Sequence, residues 1–185
     1  MFRIALCSWI LAGSLSVAAD KSEVTISPCK AFSIKGGTVD LCWNGKPIPT
    51  PTITVIDFSK PTPVLQHSEY EVWFTPKGGL AVKLLPQWLA GAGANAIQLS
   101  DYLGTVVALG DGLPKAEAIV VTAESDPGPG EKGHKPIQRA ADYKDDLIVP
   151  AGFYSVWIVP ANGTKAQRIA DRIRVQAGRE TRVGE

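Results

Sequence analysis

The sequence has little of what most site chemistry needs. Two histidines, three cysteines and one methionine are spread over 185 residues. That scarcity leaves few ways to build a His-based relay or a Cys/His metal centre. Charge is equally sparing: 19 basic against 18 acidic residues give a formal net charge of +1, which excludes the basic footprint of a nucleic-acid binder and the polybasic patch that anionic lipid attracts. After residue 19 no apolar run approaches the roughly 20 residues of a membrane span. No long stretch repeats its apolar residues at helical spacing.

The chain does carry an export leader. Arg3 supplies the positive start, Ile4 to Leu15 the apolar run, and Val17-Ala18-Ala19 a small-residue cleavage signature before Asp20. Cleavage after Ala19 removes Arg3 and leaves a neutral chain in the periplasm or outside the cell. Cys7 leaves with the leader. Cys29 and Cys42 remain, and in an oxidising compartment a disulfide between them is the expected pairing, worth about 3 kcal/mol in the chain-entropy account.

The rest reads as strands and turns. Val39, Leu41 and Trp43 alternate onto one face before the turn dipeptide Asn44-Gly45, and Thr52 to Ile56 is a β-branched run. Tyr70 to Phe74 alternates, as does Leu80 to Leu85, and Pro76-Lys77-Gly78-Gly79 separates them. The order then restarts. Gly104-Thr105-Val106 echoes Gly37-Thr38-Val39, Ile119 to Thr122 echoes Ile53 to Ile56, and Tyr154-Ser155-Val156-Trp157 echoes Tyr70-Glu71-Val72-Trp73. The first echoes lie about 66 residues apart and the last about 84, which predicts an insertion of about 18 residues in the second copy between Thr122 and Pro150. The Gly/Pro-rich stretch from Asp126 to Pro136 fits a solvated loop there. The expected organisation is a signal peptide over 1–19, an N-terminal arm over 20–35, and β-sandwich modules over 36–101 and 102–185. Alternating Ile169, Ile173 and Val175 favour a strand over a short helix near the end.

Gly104-Thr-Val, Val149-Pro-Ala-Gly-Phe-Tyr-Ser-Val-Trp157 and Ile173-Arg-Val-Gln-Ala-Gly-Arg-Glu-Thr-Arg-Val183 together resemble the prealbumin-like and carboxypeptidase-regulatory-like modules of bacterial secreted proteins. The first copy departs from that pattern at His67-Ser68-Glu69. The resemblance implies an all-β protein of two tandem Greek-key sandwiches, seven strands each, of prealbumin/transthyretin type, with accessory, adhesive or structural roles. It implies no catalytic residues. The hydroxyisourate hydrolases share that architecture, but their active-site histidines and C-terminal Tyr-Arg-Gly-Ser have no counterpart in Thr181 to Glu185.

Few residues offer chemistry. His67 precedes Ser68 and Glu69, but neighbours on a strand face opposite ways, so adjacency makes no triad. His67, Glu69 and Glu71 could share a strand face; the plainer expectation is a polar solvent face, and no metal or cofactor is expected. If Tyr70, Val72 and Phe74 point inward, Trp73 points outward, and by the same parity so does Trp157. These two rings are the candidate ligand-binding residues, able to stack on sugars or pack on a protein partner. The functional expectation is an exported, non-enzymatic accessory of the cell envelope whose partner is a protein or glycan; the alternative is a carbohydrate-binding protein using Trp73 and Trp157. Asn162-Gly163-Thr164 matches a glycosylation acceptor, although Asn-Gly is also a favoured turn.

Overall fold

A computed structural model describes residues 21–28, 37–43, 53–109, 115–143 and 145–184. The leader and Cys29 lie outside them. The strands run β1 (Lys21–Ser27), β2 (Gly37–Trp43), β3 (Ile53–Val55), β4 (Thr62–Leu65), β5 (Glu69–Pro76), β6 (Val82–Leu89) and β7 (Ala94–Gln98). One 3-10 turn at Leu99–Asp101 follows. Then come β8 (Leu103–Ala108), β9 (Ala116–Ala123), β10 (Pro136–Ala140), β11 (Leu147–Pro150), β12 (Gly152–Pro160), β13 (Gln167–Val175) and β14 (Glu180–Val183). The described residues contain no α-helix. The stretch with helical potential near the end is strand β13.

The strands form four small sheets, ordered β4-β1-β7, β3-β2-β5-β6, β11-β8-β14 and β10-β9-β12-β13. The second pair repeats the first strand for strand. β1 is antiparallel to β4 and parallel to β7; β8 is antiparallel to β11 and parallel to β14. The apolar residues collect in two clusters. Val24, Ile26, Val64 and Ile97 of the first sheet meet Val39, Leu41, Val72 and Phe74 of the second. Val106, Val149 and Val183 meet Ile119, Val121 and Val156 in the same way. This architecture is consistent with two β-sandwich modules. Fully burying a side chain such as Phe74 or Ile158 contributes roughly 1.5–3 kcal/mol.

The strand equivalence corrects the internal alignment read from sequence. Gly37-Thr38-Val39 lies in β2, and its counterpart is β9, not the β8 stretch at Gly104. The counterpart of β8 is β1, inside the segment expected to be an arm. Matched by pairing, Val24 answers to Val106, Val39 to Ile119, Tyr70 to Tyr154 and Ile97 to Val183. The offset then stays between about 80 and 86 residues throughout. The expected 18-residue insertion therefore does not exist; it arises from a one-strand slip at the start of the match. Gly104 has its own reason to be glycine. A Cβ there would stand 2.4 Å from the Gln176 carbonyl oxygen, so a side chain would drive the β13–β14 turn away.

One tyrosine per copy ties the β4–β5 and β11–β12 corners. The Leu65 N–H donates to Tyr70 Oη at 3.0 Å. At the equivalent place Pro150 has no N–H, and the bond reverses: Tyr154 donates to the Pro150 carbonyl at 2.8 Å. The same corner survives with donor and acceptor exchanged. Burial pushes the Tyr154 hydroxyl up to about 12.

The two copies are in direct contact. Leu103, Thr105 and Ile148 point away from the second core, yet all are buried, and Leu103 and Ile148 belong to the first apolar cluster. Gln138 on β10 is 2% exposed. Its Oε1 accepts from the Leu80 N–H at 3.0 Å and its Nε2 donates to the Leu80 carbonyl at 2.7 Å. The amide thus pairs with the β5–β6 turn of the first copy as a neighbouring strand would.

Candidate functional site

The alternation read from sequence puts Tyr70, Val72 and Phe74 inside, and likewise Tyr154, Val156 and Ile158. Trp73 and Trp157 therefore lie on the outer faces of their four-stranded sheets, both half-buried. Each is the centre of a row of cross-strand neighbours. In the first copy the row is Thr54, Asp40, Trp73, Lys83. In the second it is Arg139, Val120, Trp157, Arg168. Residues directly opposite on neighbouring strands are close enough to interact, so the register decides what each ring meets.

Each ring meets a cation. Lys83 Nζ sits 4.8 Å above the centroid of Trp73, and the Arg168 guanidinium carbon 5.1 Å above that of Trp157, both within the range of a cation–π contact. Around Trp73 the remaining partners are acidic. Its Nε1 donates to Glu71 Oε2 at 3.1 Å, and Lys83 Nζ reaches Glu71 Oε1 at 3.0 Å. The Lys83 ammonium first, and then the indole N–H, hold the Glu71 carboxyl below its ordinary range. Asp40 accepts from Thr54 Oγ1. The outcome is a ring flanked by two carboxylates, a hydroxyl and an ammonium.

Trp157 is covered more fully. Its Nε1 donates to Thr122 Oγ1 at 3.1 Å. The β9–β10 connection, Glu124 to Lys135, straps over it. Gly128 has φ +97°, and a Cβ there would stand 2.5 Å from the ring, so only glycine lets the backbone lie this close. Asp126, with a side chain 6% exposed, organises the strap. Its carboxylate accepts from the Gly128 N–H at 2.8 Å, from His134 Nδ1 at 2.8 Å and from the Lys135 N–H at 2.6 Å. Burial raises the Asp126 pKa, but those donors and the His134 charge outweigh it, so the carboxyl sits below its ordinary value. Two ion pairs fasten the strap to the β12–β13 hairpin: Glu124–Arg172 at 2.8 Å and Glu131–Lys165 at 3.0 Å.

The other sequence candidates do not converge. His67 lies in the turn before β5 with φ +56°, and its Nε2 is 3.0 Å from Gln66 Nε2. Glu69 begins β5 and Glu71 is engaged with Lys83 and Trp73. Among the described residues no group of three His, Cys, Asp or Glu side chains is placed to hold a metal. Cys42 is half-buried on β2 across from Glu71, while its expected partner Cys29 lies outside the described residues. Asn162 caps the β12–β13 turn, where its Oδ1 accepts from Thr164 Oγ1 at 2.8 Å. Sequence reasoning finds the two rings but misses Lys83, Arg168 and Asp40. Bulges in β5–β6 and β12–β13 shift the register that brings the cations over the rings, and no local pattern announces them.

Comparison with protein-family models, with curated proteins and with solved structures finds no match.

Proposed function

We propose that the chain is an exported, non-enzymatic accessory protein of the cell envelope, acting in the periplasm or outside the cell as a binding or structural element. Its two modules are prealbumin-like Greek-key sandwiches, and its partner is a protein or glycan of the envelope. The observation that carries this reading is the strand-for-strand duplication joined by a buried contact through Ile148 and Gln138. Such a unit holds two outer sheet faces at a fixed spacing, which suits a scaffold or adhesive module better than catalysis. The test is cell fractionation with N-terminal sequencing. The processed chain should begin at Asp20 and co-sediment with envelope material. An intact chain confined to the cytosol overturns the proposal. Counting thiols in the same sample tests the Cys29–Cys42 disulfide: two titratable thiols in the processed native protein exclude it.

The second reading, carbohydrate binding through Trp73 and Trp157, is favoured by one observation. Asp40 and Glu71 flank the Trp73 ring, and carboxylates beside an aromatic face suit sugar hydroxyls. Stacking at Trp157 requires the strap to move, so Trp73 carries this reading. Titration with envelope polysaccharides should quench indole fluorescence in the unmodified protein and fail in Trp73→Ala. No quenching by any glycan removes the reading.

A further inference from the structure

Two exposed patches occupy equivalent positions and carry opposite charge. In the first copy Glu69, the first residue of β5, is the cross-strand neighbour of Leu89, the last of β6. In the second copy the same two positions hold Phe153 on β12 and Arg174 on β13, again cross-strand neighbours. The equivalence is fixed by the next pair inward, Tyr70 with Trp88 and Tyr154 with Ile173. Each patch therefore joins one charged residue to one large apolar residue. Leu89 is 57% exposed and Phe153 is 55% exposed. Glu69 and Arg174 have no ion-pair partner among the described residues. Other strand charges in the second copy are paired, as Arg168 is with Asp171 and Arg172 with Glu124.

The second patch is concave. Phe153 and Arg174 line an open hollow of about 320 Å³ together with Ala151, Gly152, Val175 and Gln176. Leu89 ends the edge strand β6 beside Glu69, with more than half of its surface exposed. An exposed apolar side chain beside an acid on one module, and a hollow that offers Phe153 beside a base on the other, are complementary in charge and each brings one apolar contact.

We propose that these patches bind each other between two copies of this chain: Leu89 of one molecule enters the hollow of the next, and Glu69 pairs with its Arg174. The contact is heterologous, because the two surfaces differ. Each molecule keeps one patch of each kind free, so association continues head to tail until a ring closes or a filament grows. The contact area is small, so a single contact is weak and assembly depends on concentration and salt.

Analytical ultracentrifugation of the protein as it accumulates in cells tests this at low and high salt. The expected result is a weight-average mass that rises with concentration and falls with added salt. Glu69→Lys and Arg174→Glu should each weaken association by about tenfold or more, since each sets like charges face to face. Both positions are exposed, and unchanged circular dichroism will establish that the variants fold. The decisive step is mixing them. The base introduced at position 69 of one variant then faces the acid introduced at position 174 of the other. The remaining contact, Glu69 of the second variant against Arg174 of the first, is the native one. An equimolar mixture should therefore regain assembly within about twofold of the unmodified protein. A monomer at every concentration overturns the proposal. So does association that survives either charge reversal, which would assign the patches to a different partner, or a mixture that fails to recover.

Discussion

Thr105 is the residue whose chemistry fits its surroundings least. It is fully buried between Leu103 and Val106 on β8, opposite Ile148, and its Oγ1 has no hydrogen-bond partner among the described residues. A buried hydroxyl without a partner loses its hydration and regains nothing. Valine keeps the shape and the β-branch that a strand favours. Thr105→Val should therefore stabilise by about 1 kcal/mol, read as a higher midpoint in urea unfolding with unchanged slope; a lower midpoint sinks the account. Tyr154 presents the opposite case, since its hydroxyl is buried and bonded to Pro150. Its pKa is raised to about 12 in the folded chain against about 10 unfolded, so the neutral form is the one the fold stabilises. That contribution is complete below about pH 10 and is lost as pH rises towards 12. Tyr154→Phe should cost about 1 kcal/mol at neutral pH and remove this part of the alkaline loss, both visible in denaturation midpoints taken across that range.

At the scale of elements, the strap over Trp157 is folded around one carboxylate, Asp126, and two exposed ion pairs fasten it to the β12–β13 hairpin. Asp126 titrates below its ordinary value in the folded chain, so its contribution is complete above about pH 4 and is lost as pH falls through the folded value. Acid should release the strap before the sandwich unfolds. Trp157 fluorescence, read with Trp43, Trp73 and Trp88 replaced by Phe, would change with native far-UV circular dichroism retained, and Asp126→Asn in that background should show the released signal already at neutral pH. Coincident acid transitions of fluorescence and backbone signal would rule out a separate strap. Gly/Pro content alone marks Asp126 to Pro136 as a loop, but what the loop covers depends on a contact between Gly128 and Trp157 that composition does not encode. The same division runs through the fold. Inside one strand the period of two is local, so Tyr70, Val72, Phe74 and their counterparts are legible. Between strands it is not. Gly104-Thr-Val resembles Gly37-Thr-Val because the same three residue types lie at or beside the start of both strands, and only pairing partners reveal that β8 answers to β1. Leu103, Thr105 and Ile148 escape for a related reason: a strand buried on both faces reads as plain hydrophobicity, and nothing in it names the second surface it packs against.

For the whole molecule the question is whether two modules make two folding units or one. Modules this small bury limited core and are marginal alone. Here the outer face of the β11-β8-β14 sheet carries Ile148 and Leu103 into the first apolar cluster, and Ile137 packs against both clusters. Gln138, itself buried, adds two hydrogen bonds to the backbone of the partly exposed Leu80. The halves should then unfold in one cooperative transition, with indole fluorescence and far-UV circular dichroism coinciding in urea. Gln138→Ala removes both bonds to Leu80, an expected cost of roughly 1–3 kcal/mol. The loss falls on the contact between modules rather than on either core, so it should do more than lower one midpoint. The transition should separate into two, with the second copy's signal, followed through Trp157 in a Trp43→Phe, Trp73→Phe, Trp88→Phe background, moving apart from the total backbone signal. Two transitions in the unmodified protein, or a Gln138→Ala variant that merely shifts a single one, would mean that the contact does not couple the modules and that each core stands by itself.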